Sequence, residues 1–245
     1  MRFNRLIVIY IISIILVFVM GQESDSILFL VGLITALFIT ITIIGVSVLK
    51  YNLFIKSVCN LSGNNNEIAI TFDDGPCPDR TPQILDLLAR YDAKATFFCI
   101  GNKIAENKAV LSRMHNEGHS IGNHSYEHSN SFPIWSTKKM QVSIIATDKE
   151  LNKIGIQESN LFRPPFGVSN NLIAKAIKTC GKQCIGWSIR TKDTVKSPEQ
   201  VLRTVKRKLK PGSIILLHDT NKHVCDELEQ ILLYCKKQKL KPIAL

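Results

Sequence analysis

The sequence contains no Cys-x-x-Cys pair, although it has seven cysteines among its 245 residues. An odd number of cysteines without a repeated spacing does not predict a disulfide framework, least of all in a chain of this length. Zinc bound by thiolates is not indicated either, because no second cysteine pair has ligand spacing. Cys180 and Cys184, with three residues between them, and Cys99, in an apolar run, are therefore predicted to be free, buried thiols.

Acidic residues are scarce, with 20 Asp and Glu against 31 Lys and Arg and a formal net charge of +11. No basic stretch is interleaved with aromatic residues, so nucleic acid is not an expected partner. Most of the positive excess lies after residue 59. A basic domain beside a bilayer is attracted to anionic lipid head groups or phosphate-bearing substrates, and membrane lipid is an expected partner. Runs such as Lys206-Arg207-Lys208 are equally consistent with solvated helix faces.

Charged residues are absent from Leu28–Leu49, and Leu6–Met20 is almost uninterrupted Leu, Ile, Val and Phe. The second run is long enough to cross a bilayer core, which takes about 20 residues, and the first is marginal. A cleaved signal peptide is the alternative for the first run, but no small-x-small cleavage site follows it before Glu23. We predict a membrane anchor over residues 1–59, with apolar helices at about 6–21 and 28–49 joined by residues 21–26, and a second domain over residues 60–245.

Residues 60–245 contain no internal repeat or low-complexity segment, and strand-like runs alternate there with helical stretches. The strand-like runs fall at 67–73, 94–100, 119–124, 161–163, 184–189, 213–218 and 241–245. Thr81-Pro82 and Ser197-Pro198 each combine a capping hydroxyl with proline at the first helical position. Regular alternation of strand and helix predicts a parallel sheet with outer helices.

Two adjacent carboxylates, Asp73 and Asp74, follow the apolar run Glu67–Phe72 where the predicted strand should stop, and Gly75-Pro76 then forces a turn. Two like charges at the end of a buried strand are costly unless something positive lies nearby. A metal cation is a natural candidate, with one carboxylate as a ligand and the other free as a base. Asp-Asp-Gly-Pro also favours a turn by itself, so an Asx-type turn without a metal is an alternative interpretation of these residues.

Two histidines four residues apart, His124 and His128, follow another short apolar run. On a helical turn, this spacing points both imidazoles the same way, as metal sites often require. Together with Asp74 they give a His-His-Asp ligand set, which leaves room for water and suits a catalytic site better than a closed structural one.

Two further segments complete a pattern. Leu161–Gly167 reads Leu-Phe-Arg-Pro-Pro-Phe-Gly, and Ser213–Asp219 is a buried strand that delivers His218 at its end. In order along residues 62 to 245, the chain resembles the polysaccharide deacetylase family (the NodB-homology domain, carbohydrate esterase family 4), whose signatures are TFDDGP, HSxxH, RxPxG, an Asp-containing fourth motif and LxH. Four of the five match almost letter for letter. The resemblance implies a distorted (β/α)7 barrel, with the site at the carboxyl ends of the strands.

The resemblance also implies roles for particular residues. Asp74, His124 and His128 would hold one divalent metal, with zinc the expected ion and other divalent ions open. Asp73 would be the general base and His218 the general acid. Arg163 would orient Asp73, and Asp193 would pair with His218. The backbone N–H of Phe166 would stabilise the oxyanion, and Pro165 and Leu216 would lie beside the substrate.

The fourth motif departs from the family pattern of two aspartates three apart followed by Trp. Here Arg190 replaces the first Asp and Thr194 replaces the aromatic residue, whereas Asp193 is kept. A cation in place of an acid should reshape the substrate groove, and it is compatible with an anionic substrate.

The expected function is metal-dependent removal of an acetyl group from an amino sugar of peptidoglycan, exopolysaccharide or a chitin-like oligomer. Deacylation of a lipid-linked amino sugar is the first alternative, and a non-catalytic, membrane-anchored glycan-binding protein is the second. Arg2 and Arg5 precede the first span, and Lys50 and Lys56 follow the second, so the positive-inside rule places the domain at the cytoplasmic face of the cell membrane. An external domain stays open, because most members of the family act on exported glycans.

Overall fold

The computed structural model describes residues 2–20, 24–63, 65–157 and 159–245. It begins with two helices, α1 (Arg2–Val19) and α2 (Ser24–Ser47), each long and apolar enough to cross a membrane and almost entirely unburied. They run antiparallel, because the Phe3 N–H at the start of α1 donates to Leu53 O, shortly after α2, at 3.1 Å. Tyr10 of α1 stacks on Phe38 of α2 and lies 3.1 Å, Oη to Oγ1, from Thr35. Residues 21–23 of the predicted connection lie outside the described residues.

The rest of the chain forms a curled, parallel sheet wrapped by helices. The strands are β1 (Ser57–Val58), β2 (Glu67–Gly75), β3 (Ala95–Cys99), β4 (Ser120–Asn123), β5 (Leu161–Phe162), β6 (Gln183–Ile185), β7 (Ile189–Arg190), β8 (Ile214–His218) and β9 (Lys241–Ile243). The outer helices are α3 (Thr81–Arg90), α4 (Lys108–Asn116), α5 (Thr137–Lys153), α6 (Asn171–Thr179), α7 (Pro198–Lys208) and α8 (Val224–Lys237).

The sheet order is β1-β6-β5-β4-β3-β2-β8-β7, with β9 beside β2, and each of these pairs is parallel. β6 lies next to the end strand β1 and β7 lies at the other end of this order, although three residues separate β6 and β7 in the chain. The segment 186–188 therefore joins the two ends and curls the sheet into a barrel. The prediction of a distorted (β/α)7 barrel is confirmed.

Two details of the strand prediction were wrong. The run 184–189 is not one strand, because β6 pairs with β5 whereas β7 pairs with β8. β1 was missed, since a strand of two residues carries no periodic signal. The division at residue 59 stays a prediction, and Ser57–Val58, on its amino-terminal side, pair with β6.

The alternation of β2 explains how the site is supported. Ile68, Ile70 and Phe72 are buried in the cluster that includes the apolar faces of α3 and α8. Successive side chains of a strand point to opposite faces, so Thr71 and Asp73 face the barrel interior. The longest central strand therefore buries its apolar side chains outward and delivers a polar one into the barrel.

Helix starts follow the sequence with one exception, and so do the three cysteines predicted to be buried, since Cys180 is only partly buried. Ser197 caps α7 in a capping box with Gln200, as its motif predicts. The Thr81 hydroxyl does not cap α3; it donates to Asp219 Oδ2 at 2.7 Å instead. All seven cysteines are free thiols, and Cys99 and Cys184 are fully buried.

Candidate active site

Asp73 and Asp74 both reach the mouth of the barrel, which is its open end at the carboxyl ends of the strands. They do so because β2 is irregular where it ends. Its register with β3 shifts between Asp73 and Gly75, and Asp74 has a φ of 72°. Strain of this kind at a non-glycine residue is concentrated at functional sites. Gly75 is required here, since a Cβ would collide with the carboxylate of Asp219.

Asp74, His124 and His128 meet as the sequence predicts. Asp74 Oδ1 lies 3.5 Å from His124 Nε2 and 3.4 Å from His128 Nε2, and the three candidate ligand atoms are within 4.8 Å of one another. His124 Nδ1 donates to the Arg163 carbonyl oxygen at 2.7 Å, which leaves Nε2 as the free lone pair. Asp74 Oδ1 is buried and has no hydrogen-bond partner among the described residues. A buried, unpaired carboxylate oxygen facing two imidazole nitrogens fits a divalent cation.

The predicted helical turn between the two histidines was wrong, although their convergence was right. Residues 124–128 are not helical: the chain bends at Tyr126 and Glu127, and φ is 68° at Ser125 and 45° at His128. Asn123 Oδ1 accepts from the Ser125 N–H at 2.9 Å, and Ser125 Oγ accepts from the His128 N–H at 3.2 Å. These two local bonds hold a shape that the i, i+4 spacing does not reveal.

The electrostatics favour the protonation states that a metal needs. Burial alone would raise the pKa of Asp74, but the proximity of His124, followed by that of His128 and His218, outweighs it and lowers the pKa. Burial, followed by the proximity of His124, lowers the pKa of His128. An ionised carboxylate beside neutral imidazole is the ligand form of both groups.

Arg163 is fully buried and fixes Asp73. Its Nη1 donates to Asp73 Oδ1 at 2.7 Å and to Thr71 Oγ1 at 2.8 Å. Its Nη2 and Nε donate to the carbonyls of Gly186 and Ile185. A buried guanidinium with its donors satisfied is a rigid partner for a carboxylate. Asp73 Oδ2 is left on the side of the metal ligands, 3.8 Å from His124 Nε2.

His218 and Asp193 form a second pair in the mouth. Asp193 Oδ1 accepts from His218 Nδ1 at 2.9 Å, and Oδ2 accepts from the His218 backbone N–H at 2.8 Å. Thr191 Oγ1 donates to Asp193 Oδ1 at 3.0 Å. Burial would lower the pKa of His218, but the hydrogen bond to Asp193 and its charge outweigh this and raise it to about 9. At neutral pH the imidazole is therefore protonated and can donate from Nε2.

The turn after β5 carries the remaining predicted residues. Phe166 has a φ of 61° and is 42% exposed, with its ring edge-on to His128 at 4.7 Å between centroids. Pro165 and Leu216 are buried, and the Leu216 carbonyl accepts from Thr191 Oγ1. Of the three predicted substrate residues, Phe166 is thus the one that is open to solvent.

The altered fourth motif lies at the edge of this turn. Trp187 occupies the space beside Gly167, where a Cβ would collide with its ring. Arg190 is exposed at the end of β7, and its guanidinium carbon lies 5.7 Å from the centre of the Trp187 ring. The departures from the family pattern therefore leave the Asp193–His218 pair intact and change the surface beside it.

Sequence reasoning missed three supporting residues. Thr71 shares the Arg163 guanidinium, and Lys103 donates from Nζ to the Asp74 carbonyl oxygen at 2.7 Å. Asp219, directly after His218, is fully buried; burial raises its pKa to about 6 although the Thr81 hydroxyl bond opposes this. The signal that could have found Asp219 is a second charged residue at the exit of a buried strand.

Known proteins share this chain's sequence and architecture. A family model described as polysaccharide deacetylase matches residues 61–185. A peptidoglycan-N-acetylglucosamine deacetylase of Bacillus cereus is 42% identical over 163 residues, which are 63% of this chain and 74% of that protein. The peptidoglycan-N-acetylglucosamine deacetylase PgdA of Listeria monocytogenes is 35% identical over 176 residues, 71% of this chain and 37% of that protein.

A solved structure supports the same assignment. The crystal structure of the Bc1960 peptidoglycan N-acetylglucosamine deacetylase superimposes with a TM-score of 0.71 at 32% identity and covers 76% of this chain and 89% of that one. The chain therefore belongs to the polysaccharide deacetylase family, carbohydrate esterase family 4, and is a hydrolase of the polysaccharide N-deacetylase type.

Proposed function

We propose that this protein is a metal-dependent hydrolase that releases acetate from an N-acetylated amino sugar of a glycan. The observation that carries the proposal is that three groups of side chains meet at the mouth of the barrel. They are the Asp74–His124–His128 cluster, Asp73 fixed by Arg163, and His218 fixed by Asp193. Asp74, His124 and His128 would hold the ion, proposed to be zinc. Such an ion, when bound, polarises the acyl carbonyl and lowers the pKa of a water molecule.

Two residues of the protein carry out the two proton transfers of the reaction, one as a base and the other as an acid. Asp73, held by Arg163 through Oδ1, takes a proton from the attacking water through Oδ2. The water oxygen bonds to the acetyl carbon, and the backbone N–H of Phe166 stabilises the oxyanion. His218, protonated at neutral pH, donates its Nε2 proton to the amide nitrogen as the C–N bond breaks. Acetate and a free amino sugar are the products.

Chelation tests the proposal directly. The purified full-length protein should release acetate from an N-acetylglucosamine oligomer, lose this activity in a chelator and regain it on addition of zinc. His124→Ala should lower the stoichiometric metal content and the activity together, because it removes one of three ligands. Activity that survives complete metal removal would overturn the metal assignment.

A lipid-linked amino sugar is the second candidate substrate, and one contact favours it. The Ser169 N–H donates to the carbonyl oxygen of Val46 at 3.0 Å, so the end of α2 lies against the loop that carries Phe166. If α2 crosses a membrane, the mouth lies near its surface. Comparing turnover of a polyprenyl-diphosphate-linked N-acetyl amino sugar with that of a water-soluble glycan oligomer decides between the two.

A further inference from the structure

Ser169 forms hydrogen bonds that connect the end of α2 to the loop that carries Phe166. Its N–H donates to Val46 O at 3.0 Å and its hydroxyl to Gly45 O at 3.5 Å. Carbonyls in the last turn of a helix have no partner within the helix, so Ser169 satisfies groups that would otherwise need water or another cap. Ser169 is three residues beyond Phe166. The end of the candidate span is therefore in direct contact with the loop that carries Phe166.

Two exposed apolar side chains lie beside this contact. Ile134, in the loop after β4, is 82% exposed, and Leu172, in the first turn of α6, is 45% exposed. Asn170 Nδ2 donates to the Pro133 carbonyl oxygen at 2.7 Å, which joins the two loops next to Ser169. We name Ile134 and Leu172 the rim pair. Because both loops follow the carboxyl ends of strands, the rim pair lies on the face of the barrel that holds the site.

The surroundings of the rim pair are basic. The sequence has no Asp or Glu in residues 26–66, 129–147 or 159–192. Exposed lysines close to the rim pair, none of them in an ion pair among the described residues, are Lys138 and Lys139 in the first turn of α5, Lys175 one turn along α6 from Leu172, and Lys50 shortly after α2. An apolar tip surrounded by lysines matches an anionic bilayer surface, where acyl chains lie just below negative head groups.

We propose that the face of the barrel carrying the rim pair lies against an anionic lipid bilayer, the same one that α1 and α2 cross. Ile134 and Leu172 enter the interfacial layer, and the lysines contact lipid phosphates. The mouth is then held at the level of the head groups. Combined with the proposed deacetylase function, on which this last step rests, the placement selects an amino sugar carried on a membrane lipid.

Fluorescence quenching locates the rim pair without using turnover. The full-length Ile134→Trp variant is placed in vesicles of phosphatidylglycerol whose acyl chains are brominated near the head group. Its emission should be quenched well beyond that of the wild type, which reports Trp135 and Trp187. Leu233→Trp is the matched control, because Leu233 is 46% exposed on α8, which packs against α3 and α7. Equal quenching in the two variants would overturn the proposal.

Charge reversal tests the role of the lysines. In the Ile134→Trp background, Lys138→Glu with Lys175→Glu, one beside each member of the rim pair, should abolish most of the excess quenching. Lys236→Glu with Lys237→Glu makes the same charge change on exposed positions of α8 and should leave the quenching unchanged. If both pairs of substitutions have the same effect, the contact with anionic lipid is excluded. Quenching does not require catalysis, so failure of the deacetylase assay and failure of this placement are separate results.

Discussion

Asp73 and Asp74 are neighbours in sequence, but their surroundings give them different chemistry. Asp74 faces two histidines and has an oxygen without a partner among the described residues, whereas Asp73 is held by a buried guanidinium at 2.7 Å. A carboxylate fixed through one oxygen can use its other oxygen for proton transfer. The difference between ligand and base thus comes from the partners and not from the residue type.

Replacing Asp73 with Asn should remove turnover and keep the metal. A positioned general base contributes about 10²–10⁴-fold, and kcat should fall by that amount, because the amide cannot take a proton from water. Metal content should stay at the wild-type level, since Asp73 is not one of the three ligands. A variant with a nearly wild-type rate would remove Asp73 from the mechanism, and one that loses the metal would make it a ligand.

Replacing Asp193 with Asn should change the pH dependence of the reaction. Asp193 raises the pKa of His218 to about 9, so kcat/KM of the wild type should fall as the pH rises through about 9. Without the carboxylate, burial is left to lower the pKa of His218, and this basic limb should move to lower pH. The rate loss should therefore be much larger at about pH 8 than at about pH 6. A pH-independent loss would show that Asp193 serves packing alone.

At the scale of elements, the turn at residues 165–167 depends on the close packing of Gly167 against the Trp187 ring. Gly167 has a φ of 65°, and a Cβ there would collide with the ring of Trp187. Gly167→Ala should therefore displace the turn and the Phe166 N–H, with a fall in kcat of up to about 10²–10³-fold, the cost of losing one oxyanion donor. Metal content should not change, because none of the three ligands lies in this turn.

Gly181→Ala is the matched control for this substitution. Gly181 also has a φ of 65°, but a Cβ there would meet nothing within 4 Å. It therefore adds the same backbone strain without the collision, and kcat should stay near the wild-type value. If the two variants lose activity equally, the collision with Trp187 is not the cause.

The long strands were predictable from the sequence, whereas two of the shortest, β1 and β7, were not found as separate strands. β2 and β8 are mostly apolar runs with a titratable residue at the exit, so local pattern alone located them. β1, β5 and β7 have two residues each, and their pairing depends on partners that are distant in the chain. Tertiary pairing, not intrinsic preference, makes these strands.

The candidate site shows the same division between residue identity and geometry. The residue types and order of the motifs selected the side chains that the fold brings together. Ser125 and His128 have positive φ, held by hydrogen bonds to Asn123 and Ser125, and this backbone conformation contradicts the predicted helical turn. Asp219 escaped prediction because its importance comes from contacts with Gly75 and Thr81, more than 130 residues away.

At the scale of the whole molecule, both ends of the helical hairpin lie on the side of the barrel. Arg2 Nη1 donates to the Tyr51 carbonyl oxygen at 2.9 Å, and the Phe3 N–H donates to Leu53 O at 3.1 Å. The start of α1 and the chain after α2 are therefore adjacent, and the basic residues flanking both helices are on one side. Cytoplasmic flanks of membrane helices carry such excesses of Lys and Arg.

We therefore predict that the catalytic domain faces the cytoplasm. A fluorescent protein fused after Leu245 should be bright, and alkaline phosphatase fused at the same position should be inactive, because phosphatase folds only outside the cytoplasm. Replacing Arg2 and Arg5 with Glu is the informative variant: it removes the charge bias before α1 and should increase the fraction of active phosphatase. High phosphatase activity in the unaltered protein would contradict the prediction. The domain would then act outside the cytoplasmic membrane, and a mature glycan polymer would replace a lipid-linked sugar as the substrate to test first.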